Sequence, residues 1–75
     1  VPEKLISPEA TLLDLAAAYP STQDVFRARD AQAGECLLCN ALFETVRAVA
    51  ERYGLDLADL LTDLEKAARR DADAA

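Results

Sequence analysis

The chain has 75 residues, with 8 Lys plus Arg against 14 Asp plus Glu, no histidine, and a net charge of −6. A single domain of this length buries only about 60% of its extended-chain surface, which excludes large substrate clefts and nucleotide-fold enzymes. The acidic balance repels phosphate, so neither nucleic acid nor an anionic membrane surface is an expected partner.

Missing residue types narrow the chemistry further. Without histidine, Ser-His-Asp and Cys-His nucleophiles cannot be assembled, and the commonest metal ligand is absent. The two glycines, Gly34 and Gly54, cannot form a phosphate loop. The apolar run at residues 11–19 is too short and too polar for a signal segment or a membrane span. A cytoplasmic location is therefore the expectation.

In chain order, residues 1–10 carry Pro2 and Pro8 and read as a short extended lead-in. Thr11 suits an N-cap for a helix over residues 12–19, with Asp14 near its positive end. An earlier start, with Ser7 as cap and Pro8 in the first turn, also fits. Leu12, Leu15, Ala16 and Tyr19 share one face of that helix. Pro20 stops it, and Ser21 is the expected cap of a second helix from Thr22 to about Arg29. Residues 30–35 read as a loop. A third helix is expected from the cysteines to Tyr53, with Leu42, Val46, Val49 and Ala50 on its apolar stripe and Gly54 just past its end. Asp56 caps a fourth over residues 57–70, and residues 71–75 should fray. No stretch alternates like a strand. The sequence predicts one all-α domain, a compact small bundle of about four short helices behind an extended N-terminal segment.

Cys36-Leu37-Leu38-Cys39 is the one local chemical signal. Two cysteines three apart in a first helical turn have Cα atoms about 5 Å apart, a separation that permits a disulfide. A helix N-terminus lowers thiol pKa, while Glu35 opposes this. Three roles fit the spacing: two buried core cysteines, a reversible redox pair, or half of a metal site. Structural zinc takes four ligands, so Cys36 and Cys39 would need a second copy or a partner to complete one. No metal in the monomer and no cofactor are expected.

At these residues the chain resembles the redox disulfide domain associated with hybrid-cluster (prismane) proteins, a small helical domain of unknown function. The resemblance runs through Thr11-Leu12-Leu13-Asp14-Leu15, Tyr19-Pro20, Val25-Phe26 and the cysteine pair. It continues through Glu44-Thr45-Val46, Ala50, Tyr53-Gly54-Leu55-Asp56 and Leu60-Leu61, covering about residues 5–65. Leu38 stands where the family usually has glycine, and residues 31–35 lengthen the segment before Cys36. A more distant likeness, to the N-terminal domain of iron–sulfur cluster repair proteins, differs in cysteine spacing. The resemblance implies a cytosolic thiol pair that forms an intramolecular disulfide and serves a redox or iron–sulfur-related protein partner. Thiol–disulfide exchange is then the most that could be called enzymatic. Cys36, nearer the loop and the positive helix end, is the expected attacking thiol.

Gly34, Glu35, Asn40, Glu44 and Thr45 are the expected neighbours of the thiols. Glu44 either tunes the thiols or is a solvated or capping carboxylate. Thr45 either bonds back to a carbonyl or packs its methyl. Tyr19 and Tyr53 read as core residues with solvent-reaching hydroxyls. Leu55, Leu57, Leu60, Leu61 and Leu64 could exceed what one thin core absorbs, which suggests a homodimer or docking module as a second function class.

Overall fold

The computed structural model describes residues 5–74 and is all-α. Five helices follow one another: α1 (Leu12–Ala18), α2 (Thr22–Ala33), α3 (Leu37–Asn40), α4 (Val46–Tyr53) and α5 (Leu57–Ala74). The fifth helix arises because the expected third one is broken into α3 and α4. Phe26, Leu12, Leu37, Leu60, Leu64, Val46 and Val49 are its largest fully buried apolar side chains, and every helix contributes at least one. Among the described residues, no helix is long and apolar enough to cross a membrane.

The break is explained by backbone pairing. Thr11 caps α1 through the Asp14 N–H at 3.1 Å, and Thr45 caps α4 through the Ala48 N–H at 3.1 Å. The remaining first-turn donors are exchanged between the two helix starts. Leu12 and Leu13 donate to the carbonyls of Glu44 and Leu42, while Val46 and Arg47 donate to those of Ala10 and Pro8. Each N-terminus thereby satisfies orphan N–H groups with the other's lead-in. Residues 41–45 cannot serve as that lead-in and remain helical. Thr45 accordingly has extended backbone and forms an isolated antiparallel bridge with Thr11.

Other boundaries move for equally local reasons. Ser7 caps nothing helical; its carbonyl accepts the Ala10 N–H in a turn, so the lead-in is not extended throughout. Its residues 1–4 lie outside the described residues. The backbone N–H groups of Leu5 and Ile6 are held by the Glu65 carboxylate on α5, and Ile6 is buried. The loop expected at 30–35 is mostly helix. The stop signal is Gly34, whose φ of 82° places it in the left-handed region that glycine tolerates, with its N–H on the Asp30 carbonyl.

Ser21 holds the N-cap position of α2 but makes no side-chain cap bond. Its backbone is helical, and its hydroxyl and N–H both donate to the Asp71 carboxylate, at 2.6 and 2.7 Å. This anchor holds α5 beyond Arg70, where fraying was expected. α5 also turns its leucines inward: Leu60 and Leu64 are fully buried, and Leu57 and Leu61 are half-buried.

The two Ser21 donors hold the Asp71 carboxyl below its ordinary value. Its folded pKa is therefore lower than its unfolded one, and the associated stability is present above the unfolded pKa. That stability is lost as pH falls through the folded pKa. Asp71→Asn should reduce the urea midpoint near neutrality and narrow the difference from wild type as pH falls. An unchanged difference across the acid range would remove this linkage.

Candidate functional site: the disulfide turn

The site is built from the end of α2, the turn of α3 and the last turn of α4. Gly34 ends α2, Glu35 bends away, and Cys36 takes extended backbone as the N-cap of α3. Cys36 and Cys39 are joined by a disulfide, with S–S 2.07 Å and Cα–Cα 5.2 Å. The Cys39 N–H also points at the Cys36 sulfur, 3.1 Å away. Asn40 and Ala41 complete the turn by donating to the carbonyls of Cys36 and Leu37.

Burial within the turn separates packing from chemistry. Leu37 is fully buried, and its N–H donates to the Asp30 carboxylate of α2 at 3.0 Å. Cys39 is exposed and Cys36 half-buried. The reading of both cysteines as buried core residues therefore fails, because Leu37 fills that role. In this oxidised pair neither sulfur is a thiolate donor, so a shared metal would require prior reduction. Among the described residues, no three His, Cys, Asp or Glu side chains group as a metal site.

No family model matches the chain, and no curated protein or solved structure does either. The site is consequently read from its own geometry.

Of the expected neighbours, Glu35 and Asn40 directly flank the cysteine pair, and Gly34 ends α2 one residue further out. Glu44 and Thr45 do not continue the cysteine helix, because the break at residues 41–45 intervenes. Thr45 is the α4 cap, with its hydroxyl accepting a backbone N–H rather than bonding back to a carbonyl. Glu44 pairs with Arg52 at 2.6 Å, and the Arg52 guanidinium lies 5.4 Å from the centre of the Tyr53 ring. Tyr53 in turn donates its hydroxyl to the Glu35 carboxylate. A run of contacts thus leads from Glu44 through Arg52 and Tyr53 back to the residue before Cys36.

Sequence reasoning missed two members of this arrangement, Asp30 and Tyr53. Asp30 fell in the expected loop, yet a carboxylate one turn before a C′ glycine is well placed to meet the next helix start. Tyr53 was read as core. Its position in the last turn before Gly54 was the available signal, since a half-buried phenol needs a partner for its hydroxyl. The hydrogen bond to Glu35, followed by desolvation, raises the Tyr53 hydroxyl above its ordinary pKa, and the nearby Arg52 charge opposes the shift.

Proposed function

We propose that this chain is a thiol–disulfide exchange module of the redox disulfide family that its sequence resembles. It acts in the cytoplasm on the dithiol of a redox or iron–sulfur-related protein partner. The observation that carries the reading is the Cys36–Cys39 disulfide in one exposed turn, anchored by Leu37 rather than by its own sulfurs. Such a bond can open without removing a core side chain.

The exposure difference favours one order of events. A partner thiolate attacks the Cys39 sulfur, the S–S bond breaks, and its electron pair leaves on Cys36 Sγ. The Cys39 N–H that faces this sulfur favours the thiolate. A second partner thiolate then attacks the partner sulfur of the mixed disulfide and releases Cys39. The partner dithiol loses two electrons to the pair, and its two protons reach the new thiolates through solvent. In reverse, Cys39 attacks a partner disulfide and Cys36 resolves it. This exchanges the roles expected from sequence. The expected assignment rested on Cys36 lying nearer the loop and the positive helix end, and the helix that follows it, α3, has only four residues.

The reading requires that the reduced protein remain folded. Closing a four-residue ring contributes only about 2 kcal/mol in the chain-entropy account. Urea unfolding of the reduced chain should give one cooperative transition, with stability lowered by no more than about that amount. Loss of helical circular dichroism on reduction would instead make the disulfide a structural staple and overturn the proposal.

A further inference from the structure

We propose that Tyr53 is a positioning residue that sets the acidity of the Cys36 thiol by holding the Glu35 carboxylate. The inference rests on the redox reading of the same turn and identifies what regulates it. Glu35 directly precedes Cys36 in the chain, so its carboxylate is within reach of that sulfur whenever it is not held elsewhere. A negative charge disfavours a thiolate and raises the thiol pKa.

The surroundings of Glu35 counter this effect in two ways. The Tyr53 hydroxyl donates to the carboxylate, a charge-assisted bond that fixes where the side chain points. The Arg52 guanidinium sits over the same tyrosine ring and pairs with Glu44, placing a cation beside the ring whose hydroxyl holds Glu35. Glu35 is exposed, so it is free to reorient once its partner is removed. From α2, Asp30 faces the turn through the Leu37 N–H, and it stays in place in every variant below. The named charges around the turn are therefore Asp30, Glu35, Glu44 and Arg52, with Tyr53 the hydroxyl that holds one of them.

The consequence is specific to chemistry. Releasing Glu35 leaves α4 and its packing intact, because phenylalanine keeps the ring of Tyr53. Only the orientation of one carboxylate changes. Cys36 is the leaving sulfur in the exchange, and a less acidic thiol leaves more slowly. Tyr53 thereby touches neither sulfur yet controls how readily the disulfide opens.

The test is the pH profile of iodoacetamide alkylation of the reduced full chain, with peptide mapping to follow Cys36. Tyr53→Phe should move the Cys36 midpoint upward and slow alkylation near neutral pH by about threefold, the effect of about half a pH unit. Glu35→Gln should leave the midpoint at or below that of wild type. The decisive comparison is the double variant, which should match Glu35→Gln because Tyr53 then has no charge to hold. Two results overturn the proposal: a Tyr53→Phe profile that coincides with wild type, or a double variant that keeps the upward shift. Should Tyr53→Phe unfold, Glu35→Gln still tests the idea from the solvent side, and a midpoint above wild type would refute it. Alkylation reads thiol acidity whether or not the disulfide cycles, so failure of the redox reading would be seen separately, in equilibrium titration.

Discussion

Leu37→Ala should lower the stability of the oxidised chain by about 2–5 kcal/mol, measured by urea unfolding. Leu37 is the fully buried side chain between the two cysteines, and it ties α3 to the common core. A domain of this length has a total stability of only about 4–11 kcal/mol, so the loss is a large fraction of it. Two controls place the effect. Leu38→Ala, at a half-buried position, should cost roughly 1 kcal/mol, and Phe43→Ser, with Phe43 78% exposed, should stay within about 0.5 kcal/mol of wild type. If Leu37→Ala cost no more than Leu38→Ala, the disulfide turn would not be anchored by burial, and the separation of packing from chemistry would fail.

Phe26→Ala should have the largest effect of any single truncation, about 3–5 kcal/mol. Phe26 is the largest fully buried side chain, and α2, which carries it, is the helix against which α3 packs most closely. Arg29 on the same helix pairs with Asp63 of α5 at 2.6 Å, and Thr22, also fully buried, donates its hydroxyl to the Tyr19 carbonyl. Removing the ring leaves a cavity between these fixed points, and the chain should be partly unfolded at 37 °C. Phe26→Leu should lose less, because leucine refills much of the ring's volume and leaves a smaller cavity than alanine does. Equal losses for the two variants would show that the site tolerates no change of shape, rather than that it depends on buried volume.

Helix identity was legible in the sequence where capping and periodicity agreed. Thr11 before Leu12 and Leu15, Gly54 after Tyr53, and Asp56 before the leucines of α5 each occupy the expected role, with Asp56 accepting the Asp59 N–H. The break between α3 and α4 was not legible, because it is made by backbone bonds to Pro8 and Ala10, more than thirty residues away. A continuous apolar pattern from Leu37 to Tyr53 carries no trace of that exchange. The same holds at Ser21, where a side chain suited to an N-cap is taken by Asp71, fifty residues on.

The candidate site divides along the same line. The C-x-x-C spacing showed that a disulfide was possible, and the pair is joined. Spacing alone could not say that Leu37 would be the buried member, because four consecutive small or apolar residues give no facing direction. The Tyr53–Glu35 contact joins residues eighteen apart across the helix break. It depends on α4 being a separate helix that returns past the cysteine turn, and a single long helix would have carried Tyr53 far from Glu35.

The most direct test of the redox account is an equilibrium titration of the metal-free protein in thiol–disulfide buffers, with alkylation and intact mass reporting the Cys36–Cys39 state. The account predicts one two-electron transition between about −180 and −270 mV, the span of proteins that exchange with cellular thiols. A transition below about −300 mV, where structural disulfides lie, or no reduction until the chain unfolds, would contradict it.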